Sequence, residues 1–514
     1  MALALTLSRA NLGIDAPLVS VETHLSNGLP AFIIVGLPEA AVRESRDRVR
    51  SAIINSHFDF PSRRITINLA PADLPKEGSR FDLAIALGIL AASEQIPKDH
   101  LQDYEFIGEL SLSGELRHAA GLLPALIAAE QKRISFVPAA NIDEAALPIK
   151  SKTIVAHHIL EVCAHLNDNR PLQLTVKKRP TPKQSNTLDM ADIAGQPQAR
   201  RALEIAAAGG HNIIFIGPPG TGKTMLASRL ISISPPLGEA SAIEVAAINS
   251  LVGKENSIDS WRQRPFRNPH HTASAIAMVG GGSNPKPGEI SLAHKGILFL
   301  DELAEFDRKV LEVLREPLES GKITISRATQ QVEYPAKFQL VAAMNPCPCG
   351  FYGNAYDNAR QSCSCSPVQI QRYRAKLSGP LLDRIDLHVS VCRLPAKMMA
   401  KKTSVNESSA DIRSRVIKAQ QLQARNRGKI NAQLSARELI DDAWVASEAI
   451  DCLGAAIEKL GLSARAFHRL LRIGRTIADL ELVKDDKVKP SDKSAVKIQH
   501  VKEALAYRQL DKKI

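Results

Sequence analysis

Apolar and polar residues alternate in short runs through the first third of the chain, as in Ile65-Thr-Ile-Asn-Leu69, and give way to Ala/Leu-rich stretches such as Phe81 to Ala92. A period of two predicts strands, and an unbroken apolar stretch of that length predicts a buried helix. Residues 1–168 therefore read as an α/β or α+β domain whose first strand lies in Met1-Ala-Leu-Ala-Leu-Thr-Leu-Ser-Arg9. The pattern then breaks. Asn169 to Ser185 is rich in proline and cations and has no helical period, so 169–187 reads as an exposed linker. Beyond it, Ile297-Leu-Phe-Leu300 has the wholly apolar composition of a strand in a parallel sheet covered on both faces, and Asn212-Ile-Ile-Phe-Ile216 and Gln339-Leu-Val-Ala-Ala-Met344 read as further strands. They place a second α/β domain at 188–395. Lys397 to Ser409 is a polar connection into a helical region, 396–514, in which Asp411 to Arg427 and Ala455 to Leu480 carry apolar residues near the helical period.

A length of 514 residues exceeds a single core and fits about three domains at roughly 100–200 residues each. The longest apolar runs, such as Ala84 to Ala92, fall short of the roughly 20 residues a bilayer requires, so no membrane partner is expected. The first residues lack a basic stretch and a small-residue cleavage site, which reads as a cytoplasmic protein. Of seven cysteines, four crowd between Cys347 and Cys365; this suits metal or reduced thiols and again the cytoplasm. Residues 401–514 hold 23 Lys and Arg against 15 Asp and Glu, two thirds of the formal charge of +12. Such a surface either meets a polyanion or is simply solvated.

The sharpest chemical signal follows the strand ending at Ile216. Gly217-Pro218-Pro219-Gly220-Thr221-Gly222-Lys223-Thr224 precedes a helix-forming segment, which is the strand–loop–helix setting of a phosphate-binding loop. Its glycines let backbone amides approach phosphate oxygens at a helix N-terminus. Lys223 reads as the partner of the β- and γ-phosphates of ATP, and Thr224 as a Mg²⁺ ligand. The strand from Ile297 ends in Asp301 and Glu302, the first suited to hold Mg²⁺ through water and the second to orient the attacking water. Asn345 ends a further strand and is placed to position the γ-phosphate or that water.

With these go Asn268-Pro-His-His-Thr-Ala-Ser274, Gly280-Gly-Gly282, Pro287-Gly-Glu-Ile290, Met344-Asn-Pro-Cys-Pro-Cys-Gly350 and Gly379-Pro-Leu-Leu-Asp-Arg-Ile-Asp386. Together they resemble the magnesium-chelatase-like AAA+ family, and within it the ComM/YifB branch, over nearly the whole chain. The resemblance implies a P-loop AAA+ core with a parallel sheet, a helical C-terminal lid, and a homo-oligomeric ring, a hexamer. By position it makes Arg384 the arginine finger that reaches a neighbouring subunit, and Arg465 the lid's second sensor, with Arg469 as its competitor. Gly321 to Glu333 reads as a hairpin, which in this family faces the ring pore, so Lys322 and Arg327 are candidates to touch phosphates there. His270 and His271, lacking a matching pair of ligands, read as hydrogen-bonding residues of an inserted loop.

Pro75 to Ile85, with Gly108 to Leu116 and Ala120-Gly-Leu-Leu123, resembles the Lon protease domain. The resemblance puts Arg80 at the nucleophilic serine and Leu123 at the lysine base. Ser79 is displaced by one residue and has no lysine to activate it, so a scaffold rather than a protease is expected. Cys347, Cys349, Cys363 and Cys365 match the donor set of a structural Zn²⁺ site, with four reduced thiols in an ordered loop as the alternative. The family resemblance, with the basic last third, implies an ATP-hydrolysing motor on single-stranded or branched DNA, driving branch migration of recombination intermediates in natural transformation. A protein-remodelling ATPase and a metal-chelatase ATPase subunit are the alternatives; the Lon-like front domain speaks against the second.

Overall fold

The computed structural model describes residues 2–129, 133–147, 149–177, 188–254, 260–282, 285–326, 331–353, 362–394, 406–441, 445–484 and 495–508. The amino-terminal domain is built on strands β1 (Ala2–Arg9), β2 (Leu18–Ser26), β3 (Ala31–Val35) and β4 (Arg64–Ala70), in the order β1-β2-β4-β3. Alternation along β4 buries Ile65, Ile67 and Leu69 against the core. Helix α1 (Ala40–Asn55) precedes β4, and α2 (Asp82–Ala92) is buried along its whole length against the sheet. Gly88 permits that closeness, since a Cβ there would stand 2.4 Å from Thr23 Oγ1. The Thr6 hydroxyl donates to Ala84 O at 2.9 Å across the same seam. A parallel sheet of β5 (Tyr104–Phe106), β6 (Ile134–Pro138) and β7 (Lys152–Ala156) completes the domain, with α3 (Leu122–Ala128) beside it. The start of the expected linker is tied down: Thr175 N donates to Thr153 O at 2.7 Å and Lys177 Nζ to Ala145 O at 2.6 Å. Burial lowers that ammonium to about 8.

The second unit is a five-stranded parallel sheet of β8 (Ile213–Ile216), β9 (Phe266–Arg267), β10 (Ile297–Leu300), β13 (Gln339–Met344) and β14 (Leu387–Ser390), ordered β9-β10-β13-β8-β14. Between β10 and β13 in the chain, β11 (Lys322–Ser326) and β12 (Gln331–Pro335) form the predicted antiparallel hairpin. Helices α4 (Pro197–Gly209) and α5 (Lys223–Ile233) flank the sheet, and α6 (Glu239–Leu251) packs against α3 of the amino-terminal domain. Register pairs Ile216 with Met344 and Leu300 with Ala342, so β8, β13 and β10 end along one edge.

The carboxyl-terminal helices are α7 (Ser409–Arg427), α8 (Ser447–Leu460), α9 (Ala464–Leu482) and α10 (Ile498–Leu505). The stretch Ala455 to Leu480, with apolar spacing near the helical period, is divided between two helices: Gly461 takes φ 63° to close α8, and the Ser463 side chain accepts from Ala466 N at 3.2 Å to open α9. A glycine C-cap followed at once by a serine N-cap outweighs a continuous apolar period. The amino-terminal domain docks on the sheet domain through Gly121 N to Ser250 O, 2.8 Å, and Leu123 N to Ser250 Oγ, 3.2 Å. Among the described residues no helix is long and apolar enough to cross a membrane.

Candidate functional site

The loop 217–222 leaves β8 at the carboxyl edge of the sheet and turns into α5. Gly217 passes so close to β14 that a Cβ would stand 2.2 Å from Val391 O, while Gly220 and Gly222 adopt φ of 76° and 84°. These conformations favour glycine and leave the loop open for an anion at the helix start. Lys223 Nζ donates to Gly217 O at 2.7 Å, Pro218 O at 3.0 Å and Asn345 Oδ1 at 3.0 Å. Burial lowers the lysine's pKa, and Asp301 and Glu302 oppose that shift. Thr224 Oγ1 donates to Asp301 Oδ2 at 2.6 Å, so hydroxyl and carboxylate already share one spot. Both are hard oxygen donors, which suits Mg²⁺.

Glu302 sits in the left-handed region at φ 53°, a conformation uncommon for a residue with a side chain, and its N–H donates to Asp301 Oδ1 at 2.9 Å. Its carboxylate lies 3.3 Å from His271 Nδ1. His271 is a hydrogen-bonding loop residue as expected, but its partner is not legible in the sequence, because nothing local links positions 31 residues apart. His270 Nδ1 lies 2.9 Å from Thr272 Oγ1, within its own loop.

The cysteines adjoin this edge. Cys347, Cys349, Cys363 and Cys365 place their sulfurs within 4.8 Å of one another, and three of the separations are 3.3, 3.7 and 3.6 Å. Tetrahedral zinc with Zn–S of about 2.3 Å requires sulfurs about 3.8 Å apart, so the group fits the ion. Gly350 brings the knot onto the phosphate loop, since a Cβ there would lie 2.6 Å from Pro219 Cδ.

Arg384 and the two lid arginines lie elsewhere. Arg384 precedes β14 at the amino-terminal edge of the sheet, buried, ion-paired with Glu319 and donating to Pro380 O at 2.6 Å. Two residues on, Asp386 accepts from Arg469 Nη1 at 2.6 Å and from Asn212 N at 3.1 Å. Burial opposes its ionisation, but Arg469 and His211 hold the carboxyl well below the usual carboxylate range. A cleft of about 510 Å³ at this edge is lined by Arg384, Arg469, Arg472, Lys295 and Lys337 against Glu319 and Asp386. Arg465 is exposed on the first turn of α9, one turn before Arg469. On the hairpin, Lys322 Nζ pairs with Glu333 Oε1 at 2.7 Å, and Arg327 lies outside the described residues.

At the Lon-like positions the Arg80 guanidinium is buried, donating to Asn11 Oδ1 at 2.6 Å and to Ala120 O, while Leu123 is packed in the core. Ser79 donates to the Glu109 carboxylate. No serine–lysine pair forms among these residues.

Residues 189–399 match the family described as magnesium chelatase, subunit ChlI; 21–141 match subunit ChlI of Mg-chelatase, and 406–508 match its C-terminal part. The chain is 50% identical over 513 residues to competence protein ComM of Haemophilus influenzae, covering 99% of this chain and 98% of that one. It is 48% identical over 515 residues to the protein YifB of Escherichia coli, covering 100% and 98%. A shorter likeness, 28% identical over 181 residues, spans 30% of this chain and 32% of Lon protease 2 of Bacillus subtilis. With full-length relatives at this identity and family matches on all three parts, the chain belongs to the ComM/YifB family of magnesium-chelatase-like AAA+ proteins.

Proposed function

We propose that the chain forms a hexameric ring that hydrolyses ATP and uses the energy to remodel DNA, driving branch migration of recombination intermediates. The observation that carries the hydrolytic part is the convergence of Lys223, Thr224, Asp301, Glu302 and Asn345 on one sheet edge. Lys223 binds the β- and γ-phosphates, with Asn345 holding its ammonium in place. Thr224 and Asp301 would hold Mg²⁺, which supplies neutralisation of phosphate charge. Glu302, oriented by its backbone conformation and by His271, polarises the attacking water.

Arg384 supports the ring. It stands at the start of β14, while Lys223 follows the end of β8; the two strands run parallel over four paired residues, a span of roughly 13 Å. Arg384 therefore serves a nucleotide held by another subunit, and Arg469 and Arg472 line the same face. The competence name of the Haemophilus relative and the basic last third support DNA as the substrate and natural transformation as its setting. A zinc ion held by the four cysteines would stiffen the segment after Asn345 without touching substrate. The protein acts in the cytoplasm.

The test is ATP-dependent conversion of a four-way DNA junction into duplex products, with Glu302→Gln as the control that binds nucleotide without turnover. A wild-type ring that hydrolyses ATP but neither binds nor converts junctions at low salt refutes the DNA reading and leaves protein remodelling as the better account.

A further inference from the structure

Between α1 and the outer edge of β3 lies a cleft of about 660 Å³, distant in sequence from every residue of the nucleotide site. β3 pairs with β4 on one side and stands at the end of its sheet, so the cleft has an open strand edge as one wall. Three half-buried rings reach into it: Phe32 from β3, and Phe58 and Phe60 from the loop ahead of β4. Phe32 and Phe60 have centroids 6.1 Å apart, and the Arg50 guanidinium lies 5.4 Å from the Phe60 centroid.

Arg46 and Arg50 stand one turn apart on α1, with Arg63 across the cleft, all three exposed. Among the described residues none of them forms an ion pair, whereas Arg48 on the same helix is held by Asp82 at 2.8 Å. Asp47 and Asp59 share the rim, so the lining carries an excess of one positive charge. Charge alone is therefore a weak attractant here, and the rings decide what the cleft recognises. Flat rings beside flat guanidinium groups offer stacking surfaces, and guanidinium groups held by no carboxylate offer N–H donors to phosphate, Arg46 keeping only an Nε bond to Arg43 O at 3.2 Å. Paired bases present edges rather than faces, so stacking of this kind selects unpaired bases.

We propose that this cleft binds a short single-stranded stretch of nucleic acid, bases stacked on Phe58, Phe60 and Arg50, and backbone phosphates facing Arg46 and Arg63. It shares its ligand class with the DNA-motor reading and takes its polynucleotide character from there, but it uses none of the same residues.

The experiment uses the full chain with a fluorescein-labelled single-stranded oligo-dT, read by anisotropy at low salt. A 5-iodouracil version of the oligonucleotide is photo-crosslinked and mapped by mass spectrometry. Crosslinks are expected within residues 56–63, and Phe60→Ala and Arg50→Glu should each weaken binding by roughly five- to a hundredfold. Should a variant lose its cooperative thermal melt, the wild-type crosslink map still decides. Crosslinks that avoid this loop, or both variants binding as the wild type does, overturn the proposal. So does an extended peptide that occupies the β3 edge without competition from oligo-dT. Junction conversion without crosslinks at the cleft sinks the cleft and spares the motor; crosslinks at the cleft without DNA-dependent ATP turnover do the reverse.

Discussion

Replacing Lys223 by alanine tests the phosphate loop where its geometry is most explicit. The ammonium is held by three oxygens at 2.7, 3.0 and 3.0 Å, in a partly buried pocket that already lowers its pKa. Bound ATP exchanges some of these acceptors for β- and γ-phosphate oxygens. A charge-assisted hydrogen bond contributes about 1.5–3 kcal/mol, so two such bonds are worth about 3–6 kcal/mol before the displaced bonds are subtracted. Those displaced bonds, to two neutral carbonyls and an amide, bring the net to the lower end, about 3 kcal/mol. At about 1.4 kcal/mol per power of ten, Lys223→Ala should weaken ATP by roughly a hundredfold. The assay is titration of a fluorescent ATP analogue in the presence of Mg²⁺, with phosphate release measured beside it. Asn345→Ala, which removes one anchor of the ammonium but no charge, should depress turnover more than affinity. If Lys223→Ala binds within about threefold of the wild type, the ammonium does not face the phosphates and the assignment fails.

Arg384→Ala should abolish ATP turnover while leaving nucleotide affinity within a few-fold, and mixing it with Lys223→Ala should restore some phosphate release; no recovery in mixed rings counts against action across a subunit boundary. If the four thiolates hold zinc, protein kept from chelators should contain about one Zn²⁺ per chain by metal analysis, and Cys347→Ser should lower that content. Asp386, whose folded pKa is depressed, contributes stability that is present above its unfolded value of about 3.9 and lost as the pH falls below it. Arg469→Ala should therefore flatten the acid limb of a stability–pH curve measured by urea unfolding between about pH 2 and 5, and an unchanged limb would show that other groups hold the carboxyl down.

What the sequence determined by itself is what neighbouring residues impose on one another. Alternation marked β4, an unbroken apolar run marked α2, and Gly217 to Thr224 after an apolar strand marked a loop whose backbone must approach phosphate. These follow from torsional preferences and burial period, which act over a few residues. Local rules also act at Gly461, where a glycine cap within one turn divides an apolar period that continues on either side of it. Tertiary structure decided everything that depends on strand order and register. Placing β13 between β10 and β8 brings Asn345 to Lys223 across 122 positions and Asp301 to Thr224 across 77. The turn of the inserted loop delivers His271 to Glu302, and the parallel pairing of β8 with β14 sends Arg384 to the edge away from its own phosphate loop. Four cysteines spaced along a chain are only a composition until their loop closes and sets the sulfurs within 4.8 Å. Phe32, Phe58 and Phe60 lie on separate segments, and only the packing of α1 beside an edge strand gathers them with three arginines that form no ion pair among the described residues around one cleft. The physical reason is the same in each case: a local pattern fixes which way a side chain points from its own element, whereas the distance between two elements is set by the whole sheet and its core.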